Sequence, residues 1–537
     1  GAGMLTVNTK NRLGKTIING GKVVVNTLAN LTGVNLGALG DASQSITLNN
    51  GATLQNNKTI TTDQPIYVNG SGSIFTAPGT SLILNQGPKG PGAVMTKLGD
   101  GTLSFGGGGN VGRLVISRGV VNDVEVNNLI QLPDTVEFVS GTLYDPASEG
   151  TYSGNPTNFV VPAGATGTFY ADPRCDYTGT LTGKGTFNVY DSWIRCTFSG
   201  DWSKFEGTVI PRVTNRSAGQ VYDNTTFDFT NSYGLPKATL NIPSGVTVSN
   251  NGKTFALGSV IGSGTLAGVG AWIVGGNNAD FTFGVTATSK VIKRGSGRMW
   301  ILTTNKLQDQ VQVDEGILSF TTGTTNPVVG STLVVNGNAQ VQATGLVSSI
   351  VFNDNSVFTA VNPLLKERGG VFKTSALFRM NDNSQVNFVI SSGNGSQVVN
   401  SKIDCGNFLY LTNVNVTLGS SYVPAVGDSI CLWTCKTLYQ APTSITLPVL
   451  PTGMEWESSS LTNKSATGYL RIMASTGIKD NMFADETTVE VFTLSGIKVG
   501  EFQCSSFDLP RLIKGKGLGG GTFVVRSFKG SRVMVVK

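Results

Sequence analysis

Histidine is absent from the 537 residues, and this absence excludes several kinds of site. It removes the Ser-His-Asp and Cys-His arrangements of hydrolases, zinc sites with a histidine ligand and haem held by a proximal histidine. Charged side chains make up only 13% of the chain, about half the usual fraction of a globular protein. The hydrophobic fraction of 39% is still sufficient for a buried core, so the chain does not belong to the disordered class.

The net charge of +6 is confined to one end of the sequence. Residues 498–537 hold eight basic and two acidic residues, so residues 1–497 are neutral overall. The main body therefore lacks the basic stripe that a nucleic-acid-binding surface needs. It also lacks any run near the roughly 18 apolar residues of a transmembrane helix. We expect neither nucleic acid as a partner nor a membrane span.

The chain is rich in glycine, with 70 residues, and it repeats itself. Residues 174–179 and 195–200 match in class at five of six positions, with an offset of 21 residues. An asparagine-rich turn recurs at 335–339, 352–356 and 380–384 between short alternating β-branched runs. A period near 20, with Gly and Asn at the corners, is typical of a β-solenoid. An array of β-sandwiches is the alternative.

Two further repeats carry a family resemblance. The opening Lys97-x-Gly99-x-Gly101-x-Leu103 has a copy that runs from Lys293 to Met299, and residues 198–208 form a second element of the repeat. These motifs resemble the autotransporter-associated β-strand repeat of secreted passenger domains. The resemblance implies a right-handed parallel β-helix that is exported across an outer membrane.

The sequence changes character from about residue 480. A hairpin pattern at 489–499, the motif Gly-x-Phe-Val-Val-Arg at 521–526 and a basic terminus follow one another. This order resembles the C-terminal β-sandwich sorting domain of Bacteroidetes proteins, which implies recognition by type IX secretion machinery. We therefore predict an all-β chain with a parallel β-helix over 1–475, a cap or linker near 445–480 and a small β-sandwich over 481–537.

The six cysteines leave two interpretations open. Cys175 and Cys196 lie one repeat apart, so adjacent coils would bring them within disulfide reach. They form either a disulfide, which implies an oxidising compartment, or a ladder of buried thiols. Because the chain lacks histidine and has no Cys-x-x-Cys pair, a structural zinc site is not expected. We expect no cofactor.

Residues 170–206 combine acids, bases and aromatic side chains more densely than the rest of the chain. The repeat offset would stack the arginines over each other and Tyr177 over Phe198. Stacked cations repel, so an exposed arginine ladder needs nearby acids or an anionic ligand. The predicted ligand-binding residues are Arg174, Tyr177, Tyr190, Trp193, Arg195 and Trp202. In the alternative interpretation the aromatic residues form a core and the arginines pair with Asp172, Asp176 and Asp191.

These observations favour a secreted or outer-membrane surface scaffold of a Gram-negative, Bacteroidetes-type bacterium. Such a scaffold would be adhesin-like and would bind a polysaccharide or surface glycan. The first alternative is a polysaccharide lyase or glycoside hydrolase, with Arg174, Asp176, Asp191 and Arg195 as the catalytic candidates and Ca²⁺ only in the lyase case. The second alternative is a passive stalk for an upstream domain.

Overall fold

A computed structural model gives the architecture of the chain. It describes residues 3–31, 35–106, 109–123, 133–145, 153–171, 175–191, 196–213, 226–302, 306–321, 326–365, 368–381, 383–392, 398–475, 487–504, 509, 512–513, 521–527 and 530–536. Over 4–446 the chain winds as a right-handed parallel β-helix, in which each coil contributes one short strand to each of two or three sheets. The predicted fold class is confirmed.

Two sheets run along the N-terminal and central parts of the rod. The first sheet has nine parallel strands: Met4–Val7, Lys22–Val25, Ala52–Asn56, Ser71–Thr76, Val94–Leu98, Arg113–Ile116, Thr135–Phe138, Asn158–Val161 and Leu181–Gly183. The second sheet continues almost to the end of the rod: Ile60–Thr62, Ser81–Leu84, Thr102–Phe105, Val120–Asp123, Ser140–Asp145, Thr166–Ala171, Thr186–Asp191, Thr208–Val213, Leu235–Ile242, Phe255–Gly262, Trp272–Val274, Val291–Lys293, Val311–Val313, Thr332–Val335, Gln340–Phe352, Val371–Met380, Lys402–Tyr410 and Ser429–Gln440.

The remaining sides of the rod are built from shorter sheets. The third side is formed in turn by Thr16–Ile18, Ile46–Asn49, Ile66–Asn69 and Pro88–Lys89, by Ser153–Asn155, Cys175–Tyr177 and Thr197–Phe198, and by Thr226–Asp228, Thr247–Ser249, Thr265–Ala267 and Thr286–Ala287. The fourth sheet holds Phe281–Thr282, Arg298–Ile301, Ile317–Thr321, the first part of Gln340–Phe352, Val357–Thr359, Gln385–Ser392, Asn413–Leu418 and Ser444–Thr446, with Val398–Asn400 antiparallel beside it. A small hairpin pairs Leu36–Gly37 with Gly40–Asp41.

The strand registers reproduce the predicted repeat. Asp176 pairs with Thr197, which is the offset of 21 residues found between the two cysteine motifs. Elsewhere the offset varies, from 17 residues between Leu333 and Ile350 to 31 between Thr208 and Thr239. Because alternate side chains of every strand point into the coil, one apolar core runs through the whole rod.

The lysine of the Lys-x-Gly-x-Gly motif lies inside this core. Lys97 is fully buried, and in the strand register it lies between Ile74 and Ile116. Its ammonium group donates hydrogen bonds to the carbonyl oxygens of Leu98, Gly99 and Arg118, at 2.9, 2.7 and 3.2 Å. Three charge-assisted hydrogen bonds offset part of the cost of removing the cation from water.

The second copy of the motif has the same arrangement. Lys293 is fully buried and donates to the carbonyl oxygens of Arg294, Gly295 and Glu315, at 2.7, 2.7 and 3.2 Å. A glycine with positive φ closes each corner one coil later, Gly119 at +74° and Gly316 at +70°, and a Cβ there would lie 2.9 Å from the lysine nitrogen. The motif therefore encodes a cation enclosed by backbone carbonyls and glycine.

Burial of the two lysines predicts a rise of stability with pH. Desolvation lowers the pKa of Lys97 and of Lys293 from 10.5 to about 8. Between these values the unfolded chain binds more protons than the folded protein, so the free energy of unfolding increases with pH. We expect the double variant Lys97→Met/Lys293→Met to show a smaller rise between pH 8 and 10.5, measured by urea unfolding at stepped pH.

The control for this measurement replaces two exposed lysines, Lys58→Met/Lys204→Met. It should retain the pH dependence of the parent chain. Parallel pH profiles for the parent and the buried-lysine variant would contradict the assignment.

The asparagine-rich turns form a ladder on the outside of the coils. The Asn336 side-chain amide donates to Asp314 at 3.0 Å, Asn353 donates to Asn336 at 2.9 Å, and Asn381 donates to Asn353 at 2.8 Å. The recurrence of the motif thus has a direct structural cause, because each amide satisfies the one in the neighbouring coil.

Antiparallel pairing ends the parallel stack. The strand Thr467–Ala474 pairs antiparallel with Ser429–Gln440 and with Met454–Glu457, and a four-residue helix, Ser459–Thr462, buries Leu461 beside it. The C-terminal segment has a separate buried cluster and one antiparallel four-stranded sheet. Its strands are Lys498–Cys504, Thr487–Thr493, Gly521–Ser527 and Gly530–Val536, in spatial order. Within the described residues, Leu509 and Ile513 complete this cluster and a second sheet of a sandwich is not seen.

Candidate functional site

The predicted site lies on coils in which several segments are outside the described residues. Arg174, Trp193 and Arg195 fall in those segments, so the predicted arginine ladder stays a prediction. The stacking of Tyr177 over Phe198 is seen: the two residues are register partners and their ring centroids lie 5.4 Å apart at an interplanar angle of 18°.

Two of the predicted ligand-binding residues belong to the core. Trp202 is fully buried and its ring packs against Phe187, Phe198 and Phe229. Tyr177 is 1% exposed. The prediction that either ring contacts a ligand in solution is therefore wrong, because each ring fills the interior of the coil.

The polar atom of Tyr177 is satisfied inside the protein. Its hydroxyl donates a hydrogen bond of 2.5 Å to Asp145, which is also buried. Burial and the neighbouring Asp145 carboxylate raise the pKa of Tyr177 well above its ordinary value. The phenol therefore stays protonated and acts as an internal donor.

Cys175 and Cys196 are both buried and do not form a disulfide. Burial, followed by the negative charges of Asp145 and Asp176, raises the pKa of the Cys175 thiol. Of the two interpretations offered by the sequence, the structure has the thiols and the disulfide prediction is wrong.

The two described catalytic candidates do not share a face. Asp176 is half-buried and accepts hydrogen bonds from the Thr197 hydroxyl at 2.8 Å and from the Ser199 hydroxyl at 2.6 Å. Asp191 is fully buried at the end of its strand. A hydrolase needs carboxyl groups that converge on one cleft, and this pair does not supply them. Within the described residues no group of three Cys, Asp or Glu side chains is placed to hold a metal ion.

A ladder of tyrosines lies on the outer face of the second sheet in the same coils. Tyr144 pairs with Tyr170, Tyr170 with Tyr190, and Tyr190 with Arg212 in consecutive strands. The Tyr170 and Tyr190 rings stack with centroids 4.2 Å apart at 17°, and Tyr144 lies 5.9 Å from Tyr170. The Arg212 guanidinium covers Tyr190 at 5.6 Å from the ring centroid. We call these four residues the tyrosine ladder.

The ladder presents edges and hydroxyl groups to solvent, because the rings stack along the rod axis. Partial burial and a hydrogen bond with Tyr190 raise the pKa of Tyr170, so its hydroxyl remains protonated. Beside the ladder run Thr142, Thr168, Asn188 and Ile210 in register. Arg212 is the only charged side chain among the described outward residues of these four strands, and its Nε has no acceptor within the described part of the chain.

Sequence reasoning identified Tyr190 and missed Tyr144, Tyr170 and Arg212. The two-residue alternation contained the necessary signal, since the neighbouring Phe169 and Val189 are buried and the tyrosines after them must point outward. For Trp202 no such signal exists, because it lies in a turn between strands.

Comparison with known proteins gives one distant structural likeness. The chain is similar to the crystal structure of the Haemophilus influenzae Hap adhesin, with a TM-score of 0.27 and 11% identity over 82% of this chain. The matched region spans 65% of that adhesin chain. No protein-family model and no curated protein matches the sequence. No helix in the described residues is long and apolar enough to cross a membrane.

Proposed function

We propose that this chain is the rod of a secreted or outer-membrane surface, adhesin-like protein that binds a polysaccharide or surface glycan along the tyrosine ladder. The observation that carries the proposal is the alignment of three outward tyrosines and Arg212 in four consecutive strands. Export from a Gram-negative, Bacteroidetes-type cell through recognition of the C-terminal segment is part of the proposal and is supported by the sequence resemblances.

The chemistry of the ladder suits a glycan. A phenol hydroxyl both donates and accepts hydrogen bonds, as a sugar hydroxyl does, and the ring edges provide apolar contact beside it. The donor left open at Arg212 Nε matches a hydroxyl or carboxylate oxygen at one end of the row. A rigid β-helix fixes the spacing of these groups, so little conformational entropy is lost on binding.

Removal of two hydroxyls tests this site. We expect Tyr170→Phe/Tyr190→Phe to weaken retention on the bound polymer roughly thirtyfold, since each lost hydrogen bond contributes about 1 kcal/mol. The phenylalanine rings preserve the stack, so thermal stability should be unchanged. The measurement is affinity electrophoresis in gels that contain members of a panel of plant and host polysaccharides.

Tyr67→Phe is the matched control, because Tyr67 is an outward tyrosine on another side of the rod and is 41% exposed. Its retention should equal that of the parent chain. Equal retention of the ladder variant and the parent would contradict the proposed site, and no retention by any polymer would favour the passive stalk. Release of reducing ends from a retained polymer would favour the enzyme.

A further inference from the structure

The outer face of the fourth sheet carries two uninterrupted rows of neutral residues at the other end of the rod. The strand registers align them across five coils. One row consists of Gln340, Val357, Gln385, Asn413 and Ser444, and the other of Gln342, Thr359, Asn387, Asn415 and Thr446. We call these ten residues the amide face. None of them carries a charge, and nine of them are polar.

Hydrogen bonds orient the side chains in the middle of the amide face. Gln385 donates to Asn387 at 2.5 Å, Asn415 donates to Asn387 at 3.2 Å, and Asn387 donates to Thr359 at 3.4 Å. The amide orientations are therefore set before any ligand arrives. Such preorganisation reduces the entropy lost on binding.

The last two coils leave hydrogen-bonding capacity unused. The hydroxyl groups of Ser444 and Thr446 make no hydrogen bond within the described part of the chain, and both residues are exposed. Asn413 donates its amide to the Ser384 carbonyl oxygen at 3.1 Å, which leaves its side-chain oxygen facing outward. A shallow cavity of about 370 Å³ lies here, lined by Gln385, Asn413, Val414, Asn415, Ser444 and Thr446.

The spacing and charge of this face define the class of ligand. Adjacent coils repeat the same groups every ~4.8 Å along the rod, which is close to the length of one sugar ring in an extended glycan chain. Amide and hydroxyl side chains can each donate and accept, as neighbouring sugar hydroxyls require. Without a cation, the face offers no compensation for the desolvation of a carboxylate or sulfate group.

We propose that the amide face, centred on Asn413, Ser444 and Thr446, is a second binding site that takes an extended neutral glycan. This inference rests on the proposed function and adds a separate site with its own ligand class. The two sites then divide the ligands between them: the tyrosine ladder provides a cation through Arg212, whereas the amide face is neutral. Binding at the amide face should consequently be insensitive to salt.

The double variant Ser444→Ala/Thr446→Val tests the site in the intact chain. Affinity electrophoresis uses the neutral polymers xylan, mannan and hydroxyethyl cellulose, with alginate and polygalacturonate as anionic comparisons. We expect at least one neutral polymer to retard the parent chain at low and high salt alike. The double variant should weaken that retention about tenfold, the effect of losing two modest hydrogen bonds.

Ser73→Ala/Thr53→Val is the matched control, since these residues are register partners on the outer face of the first sheet and both are half-buried. Tyr170→Phe/Tyr190→Phe is run beside it. Neutral retention that is weakened by the Ser444/Thr446 variant and by neither of the other two supports the amide face. Retention that only the tyrosine variant weakens overturns this inference while the proposed function stands. Absence of retention by every neutral polymer also overturns it.

Discussion

Replacement of Gly200 by alanine should destabilise the protein by about 3 kcal/mol or more, the effect expected of a clash with backbone that cannot move aside. A Cβ at Gly200 would lie 1.8 Å from the carbonyl oxygen of Gly179 in the coil below, and a Cβ at Gly179 would lie 1.9 Å from the carbonyl oxygen of Thr157. Three successive coils therefore meet backbone to backbone at this corner. Urea unfolding followed by circular dichroism measures the effect.

Gly154→Ala provides the control, because it lies in the same short sheet and its Cβ would meet nothing closer than 3.6 Å, at the Thr178 methyl group. Its free energy of unfolding should change by less than about 0.5 kcal/mol. Similar unfolding midpoints for Gly200→Ala and the parent chain would show that the coils do not approach as closely as described.

Truncation of Trp202 should cost about 3–5 kcal/mol, the usual effect of removing a fully buried indole from a packed core. Its ring fills the space between Phe187, Phe198 and Phe229, and this aromatic cluster joins neighbouring coils. Trp202→Ala should therefore lower the urea midpoint strongly. It should leave glycan retention unchanged under conditions where the variant remains folded.

Tyr190→Ala is the comparison for Trp202→Ala, with the opposite expectation. Tyr190 lies on the outer face and stacks on Tyr170, so its loss should cost no more than about 1 kcal/mol of stability. Its effect should appear in retention. If Trp202→Ala reduced retention without loss of stability, the assignment of this residue to the core would be contradicted.

The architecture could be predicted from the sequence because the repeat acts through strand register. The offset between the two cysteine motifs equals the offset between Asp176 and Thr197, and the asparagine-rich turns recur because each amide bonds to the next. The lysine motif was recognisable as a pattern. Its cause, a buried ammonium group held by three carbonyl oxygens, depends on backbone geometry that the sequence does not display.

The site was predicted less well, since aromatic density does not tell which rings point outward. Within a strand, parity decides this, and residues 175 and 177 share the inner side while residue 176 points outward. Tyr177 is therefore a core residue even though it lies among charged neighbours. Trp202 could not be placed by parity because it lies outside any strand, and only the packing of the corner buries it.

Hydroxyl-radical footprinting of the intact chain, with and without the polysaccharide that retains it, tests the central claim most directly. The claim is that coil stacking turns Tyr144, Tyr170 and Tyr190 into one continuous binding surface. Bound polymer should reduce oxidation of all three tyrosines and leave Tyr67 unchanged. Binding of the polymer with unaltered oxidation of the three tyrosines would contradict the claim.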